Sequence, residues 1–232
     1  MKRRDIIAGL VLASVSSAAE EHETKSLYIP RAQLIEDRTF LHEFMDEYSF
    51  VDLVTGSPEV RITHIPVLLD RSAGKYGKLY GHISRQNPQS GTFDGEHHAV
   101  IVFRGPDAYI SPTWYTKPEV VPTWNFAVVH ASGRPTAITE KPALHDLLAR
   151  LIRKFEGNES AYDFGKLSET YKYGLMAGII GFEMEIEQLD GKFKLGQERS
   201  AADKERILRN LGSAKRGRSI YELTAGFYRH AQ

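Results

Sequence analysis

The sequence predicts an α+β, mainly β domain built on an antiparallel sheet or barrel with helices at its flanks. Three observations lead there. Between residues 50 and 138 apolar side chains recur with period two, and no stretch of helical period interrupts them. Helical spacing is confined to one segment before that region and four after it, the pattern of strands run together rather than alternating with helices. The 232 residues, 41% of them hydrophobic, suffice for one sizeable domain, and the absence of cysteine leaves stability to the core, with no disulfide or Cys-bound metal.

In chain order, Lys2, Arg3 and Arg4 precede an apolar run at 6–15 and the small residues Ser17, Ala18 and Ala19, so residues 1–19 read as a cleaved export signal. The arginine pair ahead of Ile6 and Ile7 resembles a twin-arginine signal, which exports folded proteins; a cytoplasmic location is the alternative. The run is shorter than the about 20 residues of a membrane span, so no permanent anchor is expected. A polar linker at 20–26 leads into the domain, residues 27–212, and residues 213–232 supply a basic loop and a last helix.

Within the domain, Asp37 is an N-cap candidate for a helix at 37–48 whose Leu41, Phe44, Met45 and Tyr48 share one face. Strands are expected at 50–55, 60–69 and 79–85 in meander order, then at 98–104, 108–111, 124–131 and 134–138, separated by Gly- and Pro-containing turns. A helix led by Pro142 carries Leu144, Leu147, Leu148, Leu151, Ile152 and Phe155 and should cover an open face or end. Beyond it come a helix at 166–176 and a strand at 181–189 that turns Phe182, Met184 and Ile186 inward and Glu183, Glu185 and Glu187 to solvent. Helices at 200–211 and 220–228 complete the chain.

Thirty basic and thirty acidic residues cancel, which disfavours nucleic acid as a partner. The chemistry concentrates between Tyr109 and His130, where both tryptophans, Trp114 and Trp124, stand beside proline turns and hydrogen-bonding groups suited to a flat heteroaromatic ligand. On the strand at 60–69, Arg61 and Thr63 project to one side and His64 to the other. Ser84 and Arg85 offer a hydroxyl and a charge-assisted bond to a phosphate, and no glycine-rich phosphate loop competes with them. His64, His82 and His130 come from different strands and could converge, but no acidic residue at ligand spacing accompanies them, so no metal is expected. Adjacent His97 and His98 point to opposite faces, and Ser111 is not in a nucleophile elbow. Lys192 and Lys194 lie on one side of an extended piece with Phe193 and Leu195 on the other, either a solvated pair or the cationic side of a ligand site.

The ordered motifs Arg61-Ile-Thr-His-Ile-Pro-Val-Leu-Leu-Asp70, Gly81-His-Ile-Ser-Arg-Gln-Asn-Pro88, Tyr109-Ile-Ser-Pro-Thr-Trp-Tyr115, Val121-Pro-Thr-Trp-Asn125 and Gly191-Lys-Phe-Lys-Leu-Gly-Gln197 resemble the PaiB-like family. These are FMN-binding split-barrel proteins, labelled negative transcriptional regulators and related to pyridoxamine-phosphate oxidases and flavin reductases. The resemblance runs from about Leu27 to Leu211. It implies an antiparallel six-stranded split barrel, a homodimer and FMN in the groove between subunits. It further implies that Arg61, Thr63 and His64 line the flavin, that Ser84 and Arg85 take the phosphate, and that His82 and Asn87 of the same motif join the cofactor-binding set. Trp114, Trp124, Asn125 and His130 would build the ring pocket, with Lys192, Lys194 and Gln197 reaching it from the C-terminal side. Phe126, Gly196 and Glu198 stand where the family usually has tyrosine, serine and asparagine.

The function expected is a flavin-dependent redox protein, since the cofactor carries its own chemistry and no dedicated acid or base is evident. One alternative is a transcriptional regulator with flavin as ligand, although the chain shows no helix-turn-helix and only one basic cluster, Lys215, Arg216 and Arg218. The other is haem in the same groove, with His64, His82 or His130 as axial ligands.

Overall fold

The computed structural model describes residues 26–56, 59–157, 159–213 and 218–230. The expected export signal, nearly all of the expected linker and most of the basic cluster lie outside them. Asp37 caps the first helix, α1 (Arg38–Glu47), accepting hydrogen bonds from the amides of Thr39 and Phe40. Its Leu41, Phe44 and Met45 are buried, as the spacing required.

Two antiparallel sheets follow. The strands are β1 (Leu34–Ile35), β2 (Phe50–Thr55), β3 (Arg61–Pro66), β4 (Leu68–Asp70), β5 (Lys78–Ser84), β6 (Ala99–Ile110), β7 (Thr123–Gly133), β8 (Pro135–Ile138), β9 (Ile179–Glu185) and β10 (Gln188–Lys194). The first sheet has the order β1-β10-β7-β6-β2-β3 and the second β4-β5-β9-β8. A simple meander is therefore corrected: β5 pairs with β4 and β9, not with its sequence neighbour β6.

Two sequence expectations change for one reason, that the chain turns corners between sheets. The strand expected at 60–69 stops at Pro66, which has no amide hydrogen for the ladder, and Val67 instead donates to the Ser49 carbonyl before β4 enters the second sheet. The strand expected at 181–189 is two strands, because at Ile186 and Glu187 the amides leave the ladder for the Gly77 and Ser132 carbonyls. The third corner, between β7 and β8, falls at Gly133, where any Cβ would lie 2.2 Å from the Glu185 carbonyl oxygen. Conversely, the segments expected at 98–104 and 108–111 are one long strand, β6, with a bulge between Arg104 and Asp107. Gly105 sits in that bulge, and the Phe44 ring leaves no room for a side chain there.

The inner faces of both sheets share one core: Leu53, Ile101, Phe103 and Val129 from the first, Leu79, Phe182 and Met184 from the second, all fully buried. Helix α2 (Lys141–Glu156), with Pro142 in its first turn, lays Leu144, Leu147 and Leu151 on the outer face of the second sheet, over Gly181. Helix α3 (Glu169–Met176), capped by Ser168, supplies Met176 to the same cluster. Helices α4 (Ala201–Ser213) and α5 (Arg218–His230) pack on the first core through Ile207, Leu211 and Ile220. No helix among the described residues is long and apolar enough to cross a membrane.

Candidate functional site

Residues opposed across an antiparallel pair point to the same face of a sheet. From β10 to β3, Asp190 opposes His130, His130 opposes Val102, Val102 opposes Asp52, and Asp52 opposes His64. One step along the strands Lys192 opposes Val128, and beyond it Lys194 opposes Phe126. Trp124, two residues before Phe126, opposes Tyr109. His64, Trp124, His130, Lys192 and Lys194 therefore stand on the outer face of the first sheet, opposite the buried Leu53, Ile101 and Val129.

That face combines exposed aromatic rings with two lysine ammonium groups. Trp124 is half-exposed, its ring edge-on to Tyr109 at 6.0 Å. The Lys192 ammonium donates to the Tyr28 carbonyl at 2.8 Å and lies 5.6 Å from the centres of the Tyr28 and Phe126 rings. Burial lowers its pKa from the ordinary lysine range, and the neighbouring Lys194 charge lowers it further. The Lys194 ammonium is held by the Thr123 hydroxyl at 2.6 Å. His130 has its Nδ1 3.1 Å from the Ser26 hydroxyl, and burial lowers its pKa against the opposing pull of Asp190. At the far margin, His64 Nδ1 lies 2.6 Å from an Asp52 carboxylate oxygen.

The remaining residues named from the sequence go elsewhere. Arg61 and Thr63 have the opposite strand parity to His64; the Thr63 side chain and the Arg61 carbonyl join a polar knot centred on the fully buried Gln89, while the Arg61 guanidinium turns to the Glu59 carboxylate at 3.4 Å. The Gln89 amide donates to the Leu53 and Arg61 carbonyls and the Thr55 hydroxyl, and accepts from the Thr63 hydroxyl at 2.5 Å. Asn87 joins the knot by donating to Thr63 at 2.8 Å. Ser84 is exposed at the end of β5, and its hydroxyl accepts from the Gln86 amide. Arg85 does not reach outward: its guanidinium donates to the Ala177 and Ile179 carbonyls at 3.1 and 2.9 Å, fastening the α3–β9 connection.

His82 belongs to the second sheet beside Gly181, and its Nδ1 is buried without a hydrogen-bond partner there, which lowers its pKa. The three histidines do not converge; His64 and His130 alone are three strand spacings apart, about 14 Å. No group of three metal-ligating side chains occurs among the described residues. Asn125 points inward, buried, with its amide nitrogen unpartnered, so it and Trp124 lie on opposite faces. Gln197 is occupied by backbone: it accepts from Leu195 and donates to the Ala32 and Phe193 carbonyls.

Trp114 lies on a loop that α4 clamps. Asp203 accepts from the Thr116 amide at 2.7 Å and its hydroxyl at 2.9 Å, Arg206 donates to the Thr113 carbonyl, and the Arg199 guanidinium sits 4.9 Å over the Tyr115 ring. Sequence reasoning missed both Asp203 and Gln89. A signal existed for the first: Ser200 and Asp203 have capping-box spacing, and the Asp203 amide does donate to the Ser200 hydroxyl. Nothing local announces Gln89.

Residues 27–188 match the family described as "Putative FMN-binding domain". The Bacillus subtilis protein named "Protease synthase and sporulation protein PAI 2" is 32% identical over 189 residues, covering 80% of this chain and 89% of that protein. An uncharacterized Aspergillus fumigatus protein is 32% identical over 197 residues, 65% of this chain and 76% of its own. Among solved structures, the flavocytochrome Anf3 from Azotobacter vinelandii aligns with TM-score 0.55 at 12% identity, covering 72% of each chain. The FAD and heme binding protein from Mycobacterium smegmatis aligns with TM-score 0.53 at 14% identity, covering 76% of this chain and 80% of its own. At such identities the structural likeness speaks for the fold alone.

Proposed function

Because the chain belongs to the FMN-binding domain family that it matches over residues 27–188, we propose that it binds FMN on the outer face of its first sheet and works as a flavin-dependent redox protein. The observation that carries this reading is that Trp124, Lys192, Lys194 and His130 share one face, with His64 at its far margin. The residues fit the group. An aromatic face and two cations suit a ring that gains negative charge on reduction. When bound, FMN supplies hydride or electron transfer; the two lysines would stabilise charge at the ring edge, and Trp124 would exclude water from its plane.

The same face argues for a homodimer. It carries Phe50 at 68% and Ile62 at 56% exposure, beside the half-buried Val54, Val100, Val102 and Val128. A second copy laid against it would convert an open sheet into a groove, and six of the ten strands of the two corner-joined sheets would then form the core of the split barrel.

The test is to purify the full chain, record its visible spectrum with and without added FMN and haem, and measure its mass by sedimentation. A flavin spectrum that bleaches with reductant, on a dimer, is the expected result. A haem spectrum abolished by His130→Ala would replace flavin with haem. Specific DNA binding that falls steeply with salt, without reducible flavin, would replace the redox role with regulation.

A further inference from the structure

Asp52 and His64 are directly opposed on β2 and β3, with His64 Nδ1 2.6 Å from Asp52 Oδ1. An ionised carboxylate only accepts, so at this distance the imidazole hydrogen sits on Nδ1. Nε2 is then the free end of the ring: the His64 side chain is 64% exposed and that of Asp52 27%, so the carboxylate lies beneath and the imidazole above it. Among the described residues, no hydrogen bond involves Nε2. The cross-strand neighbour of Asp52 on its other side is Val102, which offers no competing donor. The sequence suggested no acid or base on this face, yet the fold assembles a carboxylate-backed imidazole at its margin.

Building on the flavin reading above, we propose that Asp52 is a positioning residue. It fixes His64 as the Nδ1–H tautomer and holds Nε2 out over the ligand face, where that nitrogen accepts a hydrogen bond from an O–H or N–H group of the bound ligand. FMN offers both, in its ribityl hydroxyls and its imide N–H. Asp52 itself touches no ligand and acts only through the ring it orients.

Two readouts on the full chain test this. The first is the histidine ring nitrogen spectrum by NMR, at a pH where the ring is neutral and without ligand. Wild type should show His64 as the Nδ1–H form; Asp52→Leu should shift it towards the Nε2–H form that free imidazole side chains prefer; Asp52→Asn, which keeps an acceptor oxygen, should restore it. The second is FMN titration by fluorescence quenching. Asp52→Leu and His64→Leu should each weaken binding about tenfold, the worth of one hydrogen bond, and the double variant should be no weaker than either. An unchanged tautomer in Asp52→Leu, or losses that multiply in the double variant, would overturn the proposal. A wild-type chain that takes up no FMN overturns the flavin reading and the role of Nε2 together, and in that case the tautomer spectra still decide whether Asp52 orients the ring.

Discussion

Replacing Gln89 with leucine should destabilise the protein by about 3 kcal/mol. Gln89 is fully buried, and its side chain makes hydrogen bonds to Leu53, Thr55, Arg61 and Thr63 across the edge of the first sheet. Its two N–H groups serve three acceptors, so two donated bonds and one accepted bond are the fair count. At about 1 kcal/mol net for each, and with leucine filling nearly the same volume, the loss comes to about 3 kcal/mol. For a chain of 232 residues that corresponds to a fall in Tm of about 6–12 °C. Gln89→Glu keeps the shape but has no N–H to donate and buries a charge, so it should cost at least as much. Combined with Thr63→Val, Gln89→Leu should lose about 1 kcal/mol less than the sum of the two single changes, since both remove one shared bond. Urea unfolding of the four variants measures all of this. A Gln89→Leu loss under about 1 kcal/mol, or strict additivity with Thr63→Val, would show that the knot does not brace the strand edge.

Trp124→Ala should weaken FMN binding by about tenfold or more while barely moving the unfolding midpoint, because the ring is 53% exposed and contributes little to the core; equilibrium titration beside thermal unfolding separates the two. Lys192→Met should lower the midpoint potential of bound flavin, by about 30 mV for a tenfold loss of preference for the reduced ring, read by spectroelectrochemistry. Asp203 has its pKa lowered chiefly by the Thr116 amide, so its contribution to stability is complete above the ordinary carboxylate value and disappears as pH falls through the depressed one. Acid unfolding of Asp203→Asn should accordingly lose that part of the wild-type pH dependence, and an unchanged acid profile would deny it. Replacing Arg3 and Arg4 by lysines should block export if the twin-arginine signal operates, with the protein retained in the cytoplasmic fraction.

Much of this fold can be read along the chain wherever local rules act alone. The Asp37 cap, the buried face of α1 and the alternation in β9 follow from spacing, because each residue's environment is decided by neighbours within one turn or one strand. The corners at Val67 and Ile186 are not visible that way. Apolar residues continue past Val67 and the apolar–acidic alternation runs on through Glu187, and only the Ser49, Gly77 and Ser132 carbonyls show where the backbone turns aside. The site divides similarly. Simple alternation separates Trp124 from Asn125 and Thr63 from His64, whereas grouping them by motif places them in one pocket. The fate of Arg85 depends on carbonyls 92 and 94 residues away, which no window of sequence contains.

The position of β9 and β10 shapes how this chain must come off the ribosome. β9 lies between β5 and β8, and β10 between β1 and β7, so one late stretch completes both sheets. Leu34 waits for Lys192, and Tyr80 for Glu183. Until residue 194 is synthesised, both sheets present open edges, and at about 5–20 residues per second that interval lasts many seconds. Assembly is therefore late and all at once, with the high contact order that slows folding and invites association between nascent chains. A chaperone that shields strand edges would have its longest hold on this protein just before its last helices emerge.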